Sequence, residues 1–163
     1  MSKVGEKRIM EYVKDFFTNP FAMIGLSSWI IAQIVKLIIH TIVYKKFEIE
    51  RLFGDGGMPS GHSATVASLA TACALIRGFD SAEFAISGIL AIIVCHDAMG
   101  VRLETGKQAM LLNEITELFN ILSAEKLPEV KLKEFVGHTP MQVLAGILLG
   151  IVNAIIMYNF IFK

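Results

Sequence analysis

Long apolar stretches alternate with polar segments along this 163-residue chain, and four of them come near the length of a membrane span. An α-helix needs roughly 20 consecutive, mainly apolar residues to cross the hydrocarbon core of a bilayer. The stretches are residues 20–44, 59–76, 82–101 and 139–162, of which the second is the shortest. Only the turn 77–81 separates the second from the third. The pattern predicts an all-α fold, a polytopic membrane helix bundle with about four transmembrane helices.

Two further segments have the pattern of amphipathic helices. Residues 1–19 and the loop 103–138 both place apolar residues at helical spacing, with charged residues mostly elsewhere. The apolar positions are Ile9, Tyr12, Val13, Phe16 and Phe17 in the first segment, and Ala109, Leu112, Ile115, Leu118, Phe119 and Leu122 in the second. We expect an N-terminal helix at the membrane surface and an interfacial helix over about residues 106–124. For the N-terminal helix, packing against the rest of the chain is the alternative.

Composition favours a membrane protein over a nucleic-acid-binding one. Apolar residues make up 54% of the chain, and 15 basic residues balance 15 acidic ones. Because no basic run is interleaved with aromatic residues, no nucleic acid is expected as a partner. Cys73 and Cys95 lie in apolar segments and are expected to pack there rather than form a disulfide. The length suits one membrane-embedded domain, residues 1–163, in which residues 20–163 form the four-span bundle.

The fourth span carries a small-residue packing motif. Gly146 and Gly150 are one helical turn apart, on a face that also holds Gln142 and Asn153. Small residues at this spacing allow two membrane helices to approach closely. We expect the two glycines to serve packing rather than chemistry.

The predicted topology brings several polar clusters to one side of the membrane. With four alternating spans, the ends of the first and third lie on the same side as the starts of the second and fourth. The clusters at those ends are Pro59–His62, His96–Asp97, Arg102 and Gly137–Pro140. Because these clusters are far apart in sequence, their convergence predicts a functional site on that side.

The segment Gly56–Ser63 has the features of an anion-binding loop. Its two glycines allow positive φ angles, and Pro59 suits the first turn of a helix. A helix that begins here directs its N–H groups and the positive end of its dipole at one point, which suits a phosphate. Ser60 and Ser63 add hydroxyl donors, and His62 can transfer a proton near neutral pH. An ordinary turn before a capped helix is the alternative.

Charged residues near or within the spans supply further candidates, because a charge in hydrocarbon is costly and usually faces a cavity or a partner. Lys36 could serve as a fixed cation for a phosphate, could pair with Asp97, or could snorkel toward the membrane surface without a partner. Asp97 could instead pair with Arg102 or hold an imidazole in one tautomer, and the planar fork of Arg102 suits phosphate oxygens. The polar stripe that contains Lys36 also holds Trp29, Gln33, His40 and Tyr44.

Two histidines precede helices on this side of the membrane. His62 lies at the start of the second span, and His138 lies beside Pro140 before the fourth. This placement suggests a nucleophile and acid pair. A zinc site from His62, His96, His138 and Asp97 is the alternative, although no H-E-x-x-H motif supports it.

The motifs together resemble the type 2 phosphatidic acid phosphatase superfamily, which is related to the vanadium haloperoxidases, and in particular a small divergent branch of it. The segments Met58–Ser63 and Gly137–Gly150 carry the resemblance, with residues 97–102 and 106–109 between them. The resemblance implies hydrolysis of phosphate monoesters through a phosphohistidine, without a metal or other cofactor. It makes His138 the nucleophile, and His62 the acid that protonates the leaving group.

The resemblance also implies a set of phosphate-binding residues. Ser60 and the Gly61 amide would hold phosphate oxygens, and Lys36 would stand for the lysine of the family's first motif. Arg51 is a candidate to replace the first-motif arginine, and Arg102 is a candidate for a displaced third-motif arginine.

The chain departs from the family pattern at three places. The first-motif Arg-Pro is replaced by Val43-Tyr44, the third-motif Ser-Arg by Lys131-Leu132, and the aspartate four residues after the nucleophile by Gln142. A neutral amide can orient an imidazole but stabilises its cationic form poorly. Our hypothesis at this point is that Asp97 supplies the missing carboxylate.

We therefore expect a multi-pass protein of the cell membrane that hydrolyses a lipid phosphate monoester or pyrophosphate. Its expected partners are membrane lipid and the phosphorylated lipid substrate, and homo-oligomerisation is left open. A catalytically weak or inactive lipid-phosphate-binding protein on the same scaffold is the first alternative. A small transporter subunit with Lys36 and Asp97 as a relay, and a structural bundle without a site, are the others.

Overall fold

The computed structural model describes residues 3–47, 57–122, 132 and 137–162. Over these residues the chain forms six helices: α1 (Lys3–Thr18), α2 (Pro20–Tyr44), α3 (Gly61–Arg77), α4 (Ala82–Met99), α5 (Val101–Leu122) and α6 (Pro140–Phe162). The prediction of an all-α fold is confirmed, and α2 has the limits that the apolar pattern predicted. Asn19 fixes the start of α2, since its side chain accepts hydrogen bonds from the N–H groups of Phe21 and Ala22.

Among the described residues, three helical segments are long and apolar enough to cross a membrane. They are α2, the run Ala82–Leu122 that α4 and α5 form together, and Pro140–Ile161 of α6. The remaining predicted span, α3, has only 17 residues. At 1.5 Å per residue it is about 25 Å long, which is shorter than the roughly 30 Å of a bilayer core. α3 is therefore shorter than the other three predicted spans.

α3 is the inner helix of the bundle and contacts α2, α4 and α6. Its buried residues are small, among them Ala64, Ala67 and Ser68. On α6, Gly146 and Gly150 lie so close to α3 that a Cβ on the first would collide with the carbonyl oxygen of Ser60, and on the second with that of Ala64. The packing role predicted for the two glycines is confirmed, and their contacts fix the position of α3 along α6.

α5 begins earlier than the apolar periodicity predicted, because only Gly100 separates it from α4. The N–H of Gly100 donates to His96 O at 2.9 Å, which caps the end of α4. The carbonyl of Gly100 accepts from Glu104 N at 3.1 Å, which begins α5. The helix ends at Leu122, close to the predicted limit, and residues 123–131 lie outside the described part of the chain. The predicted helix in the loop therefore exists, as a direct continuation of the third span.

The apolar face of α1 is not covered by the other described helices. Ile9, Tyr12, Val13, Phe16 and Phe17 are each more than half exposed, and among the described helices α1 packs only against α2. These exposures do not fit a helix packed against the bundle. An uncovered apolar face on a helix that leads directly into a membrane span suits the membrane surface.

Candidate functional site

The N-terminus of α3 is built around Ser60, which is its N-cap and is fully buried. The hydroxyl oxygen of Ser60 accepts hydrogen bonds from Ser63 N at 3.3 Å and from Ser63 Oγ at 3.0 Å. The backbone N–H of Ser60 donates to Gln142 O on α6 at 2.9 Å. These bonds leave the hydroxyl hydrogen of Ser60 to be donated to another group. Together with the first N–H groups of α3, it can bind an anion.

The structure brings the two predicted histidines together. The ring centres of His62 and His138 are 6.2 Å apart, and the ring planes are inclined by 58°. His138 is only 2% exposed, whereas His62, the second residue of α3, is exposed. Two imidazoles at this separation can act on one phosphoryl group, one from the buried side and the other from the open side.

The junction of α4 and α5 holds the backbone of His138 in place. The N–H of His138 donates to Ala98 O at 2.9 Å. The preceding residue, Gly137, has a φ of +90° and lies so close to the backbone of Arg102 and Leu103 that a Cβ there would overlap them. Position 137 therefore requires glycine for its conformation and for its contact.

The side chain of Gln142 lies against the His138 ring. The N–H of Thr139 can only donate, so the side-chain atom of Gln142 that lies 3.0 Å from it is the carbonyl oxygen, Oε1. The same Oε1 is 3.4 Å from Nδ1 of His138. Because an acceptor faces Nδ1, we assign the ring proton to Nδ1, and the lone pair of the neutral ring then lies on Nε2.

Asp97 pairs with Arg102 across the same junction. The Nε of Arg102 donates to Asp97 Oδ2 at 2.8 Å, and both side chains are partly exposed. Of the partners considered from the sequence, the structure thus gives Asp97 the arginine. Since the bond uses Nε, the two terminal nitrogens of the guanidinium remain to bind other groups.

Lys36 is buried in the bundle, and its stem lies along the segment that precedes α3. It is only 5% exposed. A Cβ on Gly57 would lie 3.2 Å from Cγ and 3.3 Å from Cδ of Lys36, and the φ of Gly57 is +98°. Lys36 therefore belongs to the same region as Ser60 and the start of α3. Arg51, the other predicted cation of this region, lies outside the described residues.

The chain is similar to known proteins over most of its length. The model of the divergent PAP2 family matches residues 17–153. The chain belongs to the divergent PAP2 family. It is 39% identical over 155 residues to the uncharacterized membrane protein YuiD of Bacillus subtilis (strain 168), a match that covers 90% of this chain and 98% of YuiD. No solved structure matches the chain significantly.

Membership of the divergent PAP2 family gives the helices and the site a common context. PAP2 denotes the phosphatase superfamily that the motifs resemble, so the scaffold is related to that of phosphatases. Three apolar helices and a membrane-protein relative make the chain a multi-pass membrane protein. The resemblance to a divergent branch of this superfamily, which the segments Met58–Ser63 and Gly137–Gly150 carry, is confirmed.

Two residues border the site of this divergent PAP2 protein although no motif pointed to them. A Cβ on Gly61 would lie 3.4 Å from Cδ1 of Trp29 and 3.5 Å from Nε2 of Gln33. Both residues share the helical stripe of Lys36, which is the signal that sequence offered. The stripe shows which face of α2 carries Trp29 and Gln33. It does not show that α3 begins beside these two residues.

The four residues considered for zinc do not form a metal-binding group among the described residues. Among them, no group of three His, Cys, Asp or Glu side chains is close enough to hold a metal ion. Of the four residues considered for zinc, His96 is exposed on α4 and Asp97 is bound to Arg102. The other two of the four, His62 and His138, lie with their ring centres 6.2 Å apart.

Proposed function

We propose that this protein is a phosphatase of the cell membrane that hydrolyses a lipid phosphate monoester or pyrophosphate through a phosphohistidine, without a metal ion. The observation that carries the proposal is the 6.2 Å separation of the His62 and His138 rings beside the N-terminus of α3. The relation of the scaffold to phosphatases supports it. A site between membrane helices also favours a substrate that is itself a lipid.

In the first step, the lone pair on Nε2 of His138 attacks phosphorus, and the bond from phosphorus to the lipid oxygen breaks. The leaving oxygen keeps the electrons of that bond and takes a proton from His62 as the phosphorus–nitrogen bond forms. Positive charge develops on the His138 ring. Oε1 of Gln142, which faces Nδ1, holds the ring in the orientation for attack.

In the second step, a water molecule attacks the phosphohistidine. His62, now neutral, accepts a proton from that water, and the phosphorus–nitrogen bond breaks with its electron pair returning to Nε2. Inorganic phosphate leaves, and both histidines regain their starting protonation. The exposed position of His62 suits a residue that meets both the leaving group and water.

Four residues bind the phosphate oxygens in this proposal: Ser60, Gly61, Lys36 and Arg102. Ser60 donates its remaining hydroxyl hydrogen, and Gly61 donates its backbone N–H. Lys36 supplies a buried cation, and Arg102 supplies the terminal nitrogens that Asp97 leaves unused. Arg51 stays a prediction as a further cation.

Phosphate release by the purified protein tests the proposal. The substrates are phosphatidic acid and a long-chain lipid pyrophosphate in detergent micelles, each assayed with and without EDTA. We expect release from at least one of them that EDTA does not reduce. Release from neither substrate, or release that disappears in EDTA and returns with an added metal ion, contradicts the proposal.

A lipid-phosphate-binding protein with weak or no activity is the second candidate, and Gln142 favours it. The neutral Oε1 of Gln142 orients the His138 ring but gives little stabilisation to the cation that forms on attack. Tight binding of a lipid phosphate without turnover would select this function over hydrolysis.

Replacing Gln142 by glutamate distinguishes the two candidates. In Gln142→Glu a carboxylate faces Nδ1 of His138 and stabilises its developing charge, so we expect phosphate release to increase about tenfold or more. The matched control is Gln108→Glu, which adds the same charge at an exposed position on α5. Equal activity in wild type and Gln142→Glu would show that position 142 does not limit the nucleophile.

Replacing Asp97 by asparagine tests whether Asp97 acts through Arg102 or through the imidazole. We expect Asp97→Asn to raise KM about tenfold with little change in kcat, because a loosely held guanidinium binds phosphate less well. The same change in an Arg102→Ala background should have no further effect. Glu104→Gln, which breaks the exposed Glu104–Lys107 ion pair of 2.7 Å, is the control. Additive effects of Asp97→Asn and Arg102→Ala, expressed mainly in kcat, would instead place Asp97 with the histidines.

A further inference from the structure

Gln33 on α2 has a buried polar atom that the described protein does not satisfy. Its Oε1 is inaccessible to solvent and has no hydrogen-bond partner among the described residues. Buried side-chain oxygens are nearly always paired, because leaving one unpaired costs stability. An unpaired buried polar atom in a native structure calls for an explanation, such as a functional role or a bound water or ion.

Gln33 lies beside the start of α3, where the phosphoryl group is proposed to bind. Its Nε2 lies beside Gly61, the first residue of α3. Lys36 lies one helical turn further along the same face of α2. Beyond Gln33, α2 continues through residues 34–44, which add about 16 Å of helix at 1.5 Å per residue. The start of α3 is therefore recessed relative to the end of α2.

The groups so far assigned to the phosphate all donate hydrogen bonds, whereas Oε1 of Gln33 can only accept one. A hydrogen phosphate or a singly protonated phosphate monoester carries one O–H among its oxygens. Its other oxygens can accept hydrogen bonds from the donors of the site, and its O–H can donate to Oε1 of Gln33. A sulfate carries no proton at neutral pH and leaves the acceptor unpaired. The acceptor therefore discriminates between tetrahedral anions by their protonation.

We propose that Gln33 is a further ligand-binding residue, which accepts a hydrogen bond from the protonated oxygen of the bound phosphoryl group. The proposal rests on the proposed function, in that it requires a phosphoryl group at the start of α3. It makes Gln33 a residue that selects phosphate over sulfate. The same chemistry applies to inorganic phosphate and to the headgroup of a lipid phosphate.

The single tryptophan of the chain provides the measurement. Cδ1 of Trp29 lies against Gly61, so the fluorescence of Trp29 reports on a ligand bound there. Purified wild type and Gln33→Leu are titrated at neutral pH with inorganic phosphate, with sulfate, and with phosphatidic acid in detergent micelles. The first and third ligands separate free phosphate from the lipid headgroup.

We expect wild type to bind phosphate at least about tenfold more tightly than sulfate, as one hydrogen bond to an ionic group allows. Gln33→Leu should lose that preference through weaker phosphate binding, and its Tm should rise because the unpaired oxygen is gone. A merely structural glutamine would lower the Tm on replacement. Gln108→Leu, at an exposed position of α5, is the matched control and should change neither property.

Gln33→Glu provides a second variant that keeps an acceptor in place. Its negative charge should weaken sulfate more than phosphate, so the preference for phosphate should persist or increase. Equal binding of the two anions by wild type, or an unchanged preference in Gln33→Leu, overturns the role of Gln33 alone. No response of Trp29 or of the Tm to phosphate or to phosphatidic acid overturns the proposed function with it.

Discussion

Replacing His138 by alanine is expected to reduce phosphate release from a lipid phosphate by about 10,000-fold or more. The loss is this large because the substitution removes the proposed nucleophile, and the remaining groups can only bind and polarise the substrate. His138 is 2% exposed and its ring lies beside Gln142, so the substitution also leaves a small cavity. Binding of phosphatidic acid, followed by the fluorescence of Trp29, separates lost chemistry from lost folding, since binding should persist.

His62→Ala should behave differently from His138→Ala. In the proposed mechanism His62 protonates the leaving oxygen, so its removal should slow release from a lipid phosphate by about 100- to 10,000-fold. p-Nitrophenyl phosphate has a leaving group that needs no proton, and it should recover much of the lost rate in His62→Ala but not in His138→Ala. His96→Ala, at an exposed histidine near the end of α4, is the control. Equal losses on both substrates would remove His62 from the role of acid.

Gly150→Ala is expected to cause a large loss of stability. A Cβ at Gly150 would collide with the carbonyl oxygen of Ala64 and lie 3.0 Å from Ser68 N. Both groups are backbone of α3 and cannot move aside without shifting the helix. Overpacking of this kind typically costs about 1–3 kcal/mol, which thermal unfolding in detergent would measure.

The control for Gly150 is Gly88, a glycine of α4 whose added Cβ would meet nothing within 4 Å. Gly88→Ala should leave stability unchanged or raise it by up to about 1 kcal/mol, since alanine is the better helix former. The comparison separates the contact from the intrinsic effect of removing a helical glycine. A Gly150→Ala protein as stable as Gly88→Ala would contradict the close packing of α3 against α6.

Gly146 links this packing to the site. A Cβ there would collide with the carbonyl oxygen of Ser60, whose N–H is bound to Gln142 O. The Ser60 hydroxyl, the start of α3 and the loop of His138 thus depend on one close contact between helices. The small-residue motif that the sequence analysis assigned to packing therefore also positions residues of the proposed site.

Much of the fold could be predicted because apolar length and local capping determine it. Pro20 starts α2 one residue after a capping asparagine, and the polar residues from Lys45 follow its end. The convergence of His62 and His138 followed from the alternation of spans. These inferences need only the order and length of segments, which the sequence contains.

Other features depend on the positions of helices relative to each other, which periodicity does not give. The sequence placed Gln33 on the face of Lys36 but could not show that α3 begins beside it. The sequence left several possible partners for Asp97. The ion pair with Arg102 depends on the geometry of the α4–α5 junction, which the sequence does not give. The early start of α5 was missed because the apolar stripe becomes regular only after Gly106.

The measurement that most directly tests the account is the location of the phosphoryl group during turnover. The purified protein is mixed with phosphatidic acid, quenched within the first turnovers under conditions that preserve phosphohistidine, and analysed by peptide mass spectrometry. We predict one phosphoryl group on the peptide that contains His138, present in wild type and absent in His138→Ala. Phosphate release without any modification of His138, or a phosphoryl group on another residue, would contradict it.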